Sequence, residues 1–292
     1  MKLKKKFEVF PFINGALLVL IGLVSLFPVY YVFAVSFTDP TEYLSKSFVL
    51  FPEHWTLVSY RYLLSNNSFM VATGNSLFLA TVGTALSLMV TASLAYALSR
   101  KRFFGRRAIL LLVLFTTLFN PGIIPAYMLV RNLGLINSIW SLIIPALSSG
   151  WYVILMRGFF DSIPSELEDA SRIDGCQDAG LFFRIVLPLS MPALAAFGLF
   201  YAVGYWNTYF SAIIYVNDFH KQPLQVLLQN MLIESSTAMS GEAAAAINAE
   251  QKLPPETLKM AAVVIATAPI VMVYPFLQKH FAKGAMMGSI KA

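Results

Sequence analysis

The sequence predicts an all-α polytopic membrane protein of six transmembrane helices, and three observations carry that reading. Of 292 residues, 58% are hydrophobic and only 12% are charged, whereas a soluble domain usually carries about a quarter charged residues. Apolar runs of about 20 residues, the length that crosses a bilayer, recur six times along the chain. Between those runs the Lys and Arg residues are shared unevenly, fifteen on one side and six on the other. So much apolar surface needs lipid as its solvent, and a single membrane domain, 13–282, uses most of the chain.

The first span is expected at 13–37, behind a short segment, 1–12, that opens MKLKKK. That basic start is like a signal peptide, but the apolar run exceeds the roughly 7–15 residues of a cleaved one, so the span is expected to remain. The second span is 70–98, the third 108–130 and the fourth 135–156, the last two joined by the tight link RNLGLINS. The fifth, 184–216, has LPLSMP near its start, where Pro188 and Pro192 kink or begin a helix. The sixth, 259–278, is entered through Pro254, Pro255, Glu256 and Thr257, good first-turn residues. Basic residues favour the cytoplasmic side, so both termini are expected there. The loops 38–69 and 217–258 then lie outside, the second with a small, polar stretch at 235–251, and 283–292 is a cytoplasmic tail.

Several functions are disfavoured by what the chain lacks. No Asp, Glu, Lys, Arg or His falls within the cores of the six runs, and such residues mark proton and ion pathways. His54, His220 and His280 all lie outside the spans, which leaves no base for a Ser–His protease. Three scattered histidines and one cysteine, Cys176, do not make a zinc site, and Cys176 reads as a packing thiol. There is no G-x-x-x-x-G-K-[ST] phosphate loop. No catalytic, metal-binding or cofactor-binding residue is expected, and energy for any uphill transport has to come from a partner. The net charge of +6 does not point to nucleic acid, because the cations flank apolar runs instead of lining a polar face.

The acids, by contrast, are concentrated. Of fifteen Asp and Glu, six (Asp161, Glu166, Glu168, Asp169, Asp174 and Asp178) fall within 161–178. Pro164 suits a first helical turn, Ser165 with Glu168 reads as a capping box, and acids near a helix start favour its dipole. Glu168 and Arg172 are spaced to pair. Leu167, Ala170 and Ser171 share one small face, with Glu166 and Asp169 on another. Gly175 ends the helix, because glycine adopts positive φ without strain, and Asp178 caps a second helix running through Phe182, Phe183 and Ile185 into LPLSMP. The product is an elbow, 161–188, whose helix suits a groove on another protein. The plain alternative is a solvated connecting loop.

At these residues the chain resembles the permease subunits of bacterial ATP-binding-cassette importers. Their signature reads E-A-A, three residues, G, nine residues, I, any residue, L-P. Here Asp169-Ala170-Ser171, Gly175 and Ile185-Val186-Leu187-Pro188 keep that spacing, with Asp for Glu and Ser for the second Ala. LFNPGIIPAYMLVRNLGLINSIWSLIIPAL, MRGFFDSIPSELEDASRIDG, YWNTYFSAIIYVND and YPFLQKHFAKGAMMGSIKA look like the carbohydrate-uptake branch, nearest the oligosaccharide permeases of the LplC type. The resemblance implies a type I importer permease fold with a cytoplasmic coupling helix, in a bacterial plasma membrane. It implies as partners a second homologous permease, two cytoplasmic ATPase subunits that bind ATP and Mg, an extracytoplasmic solute-binding protein and a saccharide substrate. The coupling residues it implies are Glu166, Glu168, Asp169, Ala170, Ser171, Asp174 and Gly175. Sugars stack on aromatic rings and bond to amides and hydroxyls, so Trp151, Tyr152, Tyr205, Asn207 and Tyr209 are candidates for the substrate path. Permeases for other solutes and a polytopic membrane enzyme are the alternatives.

Overall fold

The computed structural model describes residues 9–46, 48–173, 175–238 and 254–288, and these are mostly helical. Asp174, the basic residues at 2–6, the segment 239–253 and the last four residues lie outside the described residues. The chain divides into two compact units, one made of 1–66 with 228–267 and the other of 67–227 with 268–292.

In the first unit, α1 (Val9–Ser36) is one continuous helix with most of its apolar side chains exposed, as suits a helix that faces lipid. The loop that follows is folded: it holds α2 (Pro40–Ser45) and α3 (Val58–Ser65), and an antiparallel bridge joins Thr38 to Trp55. Asp39 caps α2 by accepting from the N–H of Thr41 at 2.9 Å.

In the second unit, α4 (Asn67–Phe78) runs through a π-helical turn, Leu79–Gly83, into α5 (Thr84–Ser99). Next come α6 (Arg106–Leu118), α7 (Ile123–Asn132), α8 (Trp140–Ile143) and α9 (Gly150–Asp161). The elbow comprises α10 (Ser165–Ile173), α11 (Asp178–Leu181) and α12 (Leu187–Leu189), after which α13 (Met191–Trp206) and α14 (Phe210–Tyr215) complete this run. Among the described residues the remaining α-helices are α15 (Leu224–Ala238) and α16 (Pro255–Gly288). The tail expected from 283 is, through Gly288, the end of α16.

Three stretches are continuous helices long and apolar enough to cross a membrane, Ile13–Ser36, Asn67–Ser99 and Pro255–Val273. The other three expected spans are broken. The third bends by 120° between α6 and α7. Asn120-Pro121-Gly122 forms the break, with Oδ1 of Asn120 accepting from the Gly122 N–H at 2.9 Å and Gly122 at φ 84°, a conformation glycine adopts readily. The fourth does not begin at 135 but at Trp140, and it bends by 51° beyond Pro145. The fifth bends by 81° at Ser190, between Pro188 and Pro192, as the prolines predict, and ends at Trp206, short of 216.

Two apolar cores organise this unit. Helices α5, α9, α11 and α13 meet over Ala95, Tyr96, Val153, Met156, Leu181 and Phe197. Further along, Leu79, Ile143, Tyr201, Tyr205, Val216 and Val226 form the second. Hydroxyl pairs bridge α5 to α13, Ser87 to Tyr205 at 2.8 Å and Thr91 to Tyr201 at 2.7 Å. Such polar contacts fix helix pairs where apolar packing alone specifies little.

Candidate functional site

The elbow forms where the sequence places it. After α9 ends at Asp161, Pro164 precedes α10. Gly175 has φ 79°, and the Cys176 N–H reaches back to the Ser171 carbonyl at 2.9 Å, the long closure of a Schellman cap. The chain then runs through α11, a π-helical turn (Phe182–Val186) and α12 to the bend at Ser190.

Its side chains differ in part from the sequence reading. Gln177 is the N-cap of α11, and it makes no side-chain cap bond; Asp178 is the first residue inside the helix and pairs instead with Arg102. A carboxylate within the first turn still favours the helix dipole, but a guanidinium is a stronger partner than a frayed N–H. The side chains of Ser165 and Arg172 lie outside the described residues, so the expected capping box and Glu168–Arg172 pair do too. Glu168 pairs with Arg100, at the C-cap of α5.

Arg100 is a hub. Its guanidinium lies 4.7 Å over the Tyr96 ring, Nε donates to Ser99 Oγ at 2.9 Å, and one terminal nitrogen reaches the Phe160 carbonyl at 3.5 Å. The side chains of Arg100 and Glu168 are only 11% and 17% exposed. One residue thereby ties the ends of α5 and α9 to α10. Below it, Asp161 lies 3.2 Å from Arg157 and 3.9 Å from Arg106. Leu181, Phe182 and Val186 press the second limb into the core, with Cys176 packed at its edge, so the lone thiol has a packing place.

This anchoring sorts the seven expected coupling residues. Glu168 and Ser171 turn inward; Ser171 is buried and donates from its hydroxyl to the Glu168 carbonyl at 2.8 Å. The small face expected from Leu167, Ala170 and Ser171 is thus divided, because Leu167 and Ala170 are exposed. Glu166, Asp169 and Gly175 are exposed as well, and Ile173 is 87% exposed. The outward surface of α10 is an acidic rim around bare apolar residues. Asp174 lies outside the described residues.

Three of the five candidate path residues share one core, Tyr152 and Tyr209 packing against the cluster that holds Tyr205, while Asn207 and Trp151 are exposed. Tyr205 is buried, its hydroxyl paired with Ser87. Tyr152 is half-buried, stacked 6.1 Å from Phe200 and edge-on to Tyr201 at 4.9 Å. Asn207 and Tyr209 occupy the break between α13 and α14, where exposed Asn207 accepts from Gln225 at 3.4 Å. Trp151 is exposed at the start of α9.

Sequence reasoning passed over Arg100, counted only as one cation of SRKRFFGRR. It also missed three side chains that fasten loops. Asn75 donates to the carbonyls of His220 and Gln222, and Ser76 accepts from the Leu224 N–H at 2.8 Å. Asn137, at φ 62°, accepts from the Asp218 N–H at 2.8 Å and donates its own N–H to the Tyr215 carbonyl. The one available signal was Asn137 itself, since asparagine is a frequent non-glycine residue at positive φ.

Comparison with known proteins gives this geometry its setting. Residues 88–286 match the family described as binding-protein-dependent transport system inner membrane component. The polygalacturonan/rhamnogalacturonan transport system permease protein YtcP of Bacillus subtilis is 44% identical over 98% of this chain and 99% of its own. Protein LplC of the same organism is 44% identical over 93% of this chain and 91% of its own. A crystal structure of a bacterial ABC transporter that imports the acidic polysaccharide alginate superimposes with a TM-score of 0.87, at 30% identity, covering 96% of this chain and 99% of that one. These matches set aside the membrane-enzyme alternative. The chain belongs to the binding-protein-dependent transport system inner membrane components, the permease subunits of ABC importers, and carries their fold.

Proposed function

We propose that this permease passes oligosaccharides of the kind named for its relatives across the plasma membrane, driven by separate ATPase subunits that grip the elbow from the cytoplasm. The single observation that carries the reading is the division of α10: Glu168 is locked inward on Arg100, while Glu166, Leu167, Asp169 and Ala170 stand free on the surface. A connecting loop has no need of such a division, whereas a docked helix needs one face held and one offered.

In this reading both termini are cytoplasmic, a second homologous permease completes the pathway, and a solute-binding protein delivers the saccharide from outside. ATP and Mg bind in the partner ATPases. ATP shifts the access equilibrium only through its tighter binding to one state of that assembly. The elbow converts the approach of the ATPases into displacement of α5, α9 and α13, the helices it packs on. Asn207 and Tyr209, at the α13–α14 break, are the path candidates with accessible polar groups, while Tyr205 in this conformation joins α5 to α13.

The experiment is uptake of an oligogalacturonide into proteoliposomes holding the full importer. Asp169→Lys should preserve assembly and ATP turnover while lowering uptake by about tenfold or more, because it reverses a charge on the offered face. Normal uptake by that variant contradicts the reading.

A further inference from the structure

The loop between α5 and α6 borders a cleft of about 1030 Å³ whose lining includes none of the expected coupling or path residues. Five cations line it, Lys101, Arg102, Arg106, Arg107 and Arg157, with Phe104 beside them. Two carboxylates answer them: Asp178 pairs with Arg102, and Asp161 faces Arg157 and Arg106. Three positive charges are left over. Among the described residues, neither Lys101 nor Arg107 joins an ion pair.

Next to this charge stands bare hydrocarbon. Phe104 is 97% exposed, and α6, which starts at Arg106, buries none of its residues. Leu111, Leu112, Phe115 and Leu118 are exposed along it. We infer that the cleft holds the headgroup of an anionic phospholipid, its phosphate oxygens on Lys101, Arg106 and Arg107. The acyl chains then lie along α6, and the Phe104 ring sits at the level of the headgroups.

The charge surplus alone suits any phosphate. An apolar helix rising directly from it suits a phosphate that brings hydrocarbon with it, and basic pockets at membrane-helix ends bind such headgroups. An acidic protein segment would satisfy the cations and leave the helix bare. Because Arg102 and Arg106 also hold Asp178 and Asp161, the headgroup sits against the anchor of the elbow.

The test is native mass spectrometry of the full chain in detergent, titrated with phosphatidylglycerol or with phosphatidylcholine of the same acyl chains. Phosphatidylglycerol should be retained in preference. Lys101→Gln with Arg107→Gln should lower that preference by about 30-fold, from about 1 kcal/mol per cation, while leaving the ion pairs of the elbow in place. Phe104→Ser should weaken retention of both lipids and spare the headgroup preference. Equal retention of the two lipids, or an undiminished preference in the double variant, overturns the inference. Displacement of phosphatidylglycerol by an equal concentration of inorganic phosphate also overturns it, in favour of a free-anion site.

Discussion

The loop at 38–69 and the elbow at 161–188 are both excursions from apolar spans, and each is built around an inward carboxylate. In the loop, Glu42 accepts from the N–H groups of Glu53 and His54, eleven and twelve residues away, and from Lys46 at 2.9 Å. Aromatic rings pack in the same segment, Phe37 lying against Trp55 and Tyr60. The carboxylate is therefore held from within the loop, while the loop itself leans on α1, where Tyr30 donates to the Leu50 carbonyl at 2.8 Å and Tyr31 stacks 5.1 Å from Phe48. In the elbow, Glu168 is held by Arg100, which belongs to the end of α5 and also reaches α9. Its position is set by other helices. A loop whose carboxylate is held by its own backbone and that leans on one helix can keep its shape as a seat for a partner, whereas an elbow anchored to several helices has to move with them.

The largest expected effect on uptake attacks the bend of the elbow. Gly175→Val places a β-branched residue at φ 79°, a conformation costing about 1–2 kcal/mol or more for such side chains. Uptake should be abolished in proteoliposomes, while hydrogen exchange in the loop at 38–65 stays as in the parent protein.

A smaller effect on uptake comes with Arg100→Gln, which removes the ion pair between Arg100 and Glu168. Opening of α10, read by hydrogen exchange, should become easier by about 2–4 kcal/mol, and Arg100→Lys should recover part of the loss because it restores charge without the guanidinium fork. Equal exchange in α10 of the parent and Arg100→Gln proteins breaks the comparison, since the elbow would then not depend on its anchor to the end of α5.

The smallest effect concerns pH. Backbone N–H donors lower the Glu42 pKa from an ordinary 4.5 to about 2. A carboxyl with a depressed folded-state pKa stabilises fully above its unfolded value, and that contribution is lost as pH falls towards the folded one. Protection of the Glu53 and His54 amides, corrected for intrinsic exchange, should hold above about 4.5 and fall as pH drops from there to about 2. Glu42→Gln should remove the pH dependence from these two amides and leave the elbow untouched.

Much of this was legible in sequence. Composition gives the apolar runs, three of them continuous helices and three bent pairs; Gly175 gives the turn, and Pro188 with Pro192 marks the bend into α13. The 120° break in the third apolar run was signalled by Asn120-Pro121-Gly122, a turn sequence, but the apolar residues on both sides outweigh those three over a window of span length. The Arg100–Glu168 anchor was hidden for another reason. It joins residues on separate helices, and a charge near a span end looks the same whether it meets solvent or a carboxylate. Tyr205 shows the same ambiguity, since an aromatic hydroxyl that could bind a sugar could equally fasten two helices.

The central claim is that force enters through the exposed face of α10. The most direct measurement places one thiol there, as Asp169→Cys in a Cys176→Ser background, Cys176 being the only cysteine. The thiol is loaded with a photo-crosslinker in inverted membrane vesicles containing the whole importer. An adduct with the ATPase subunit whose yield changes on adding ATP is the expected result. Absence of any ATPase adduct, or labelling of that thiol from outside intact cells by a membrane-impermeant reagent, contradicts the account.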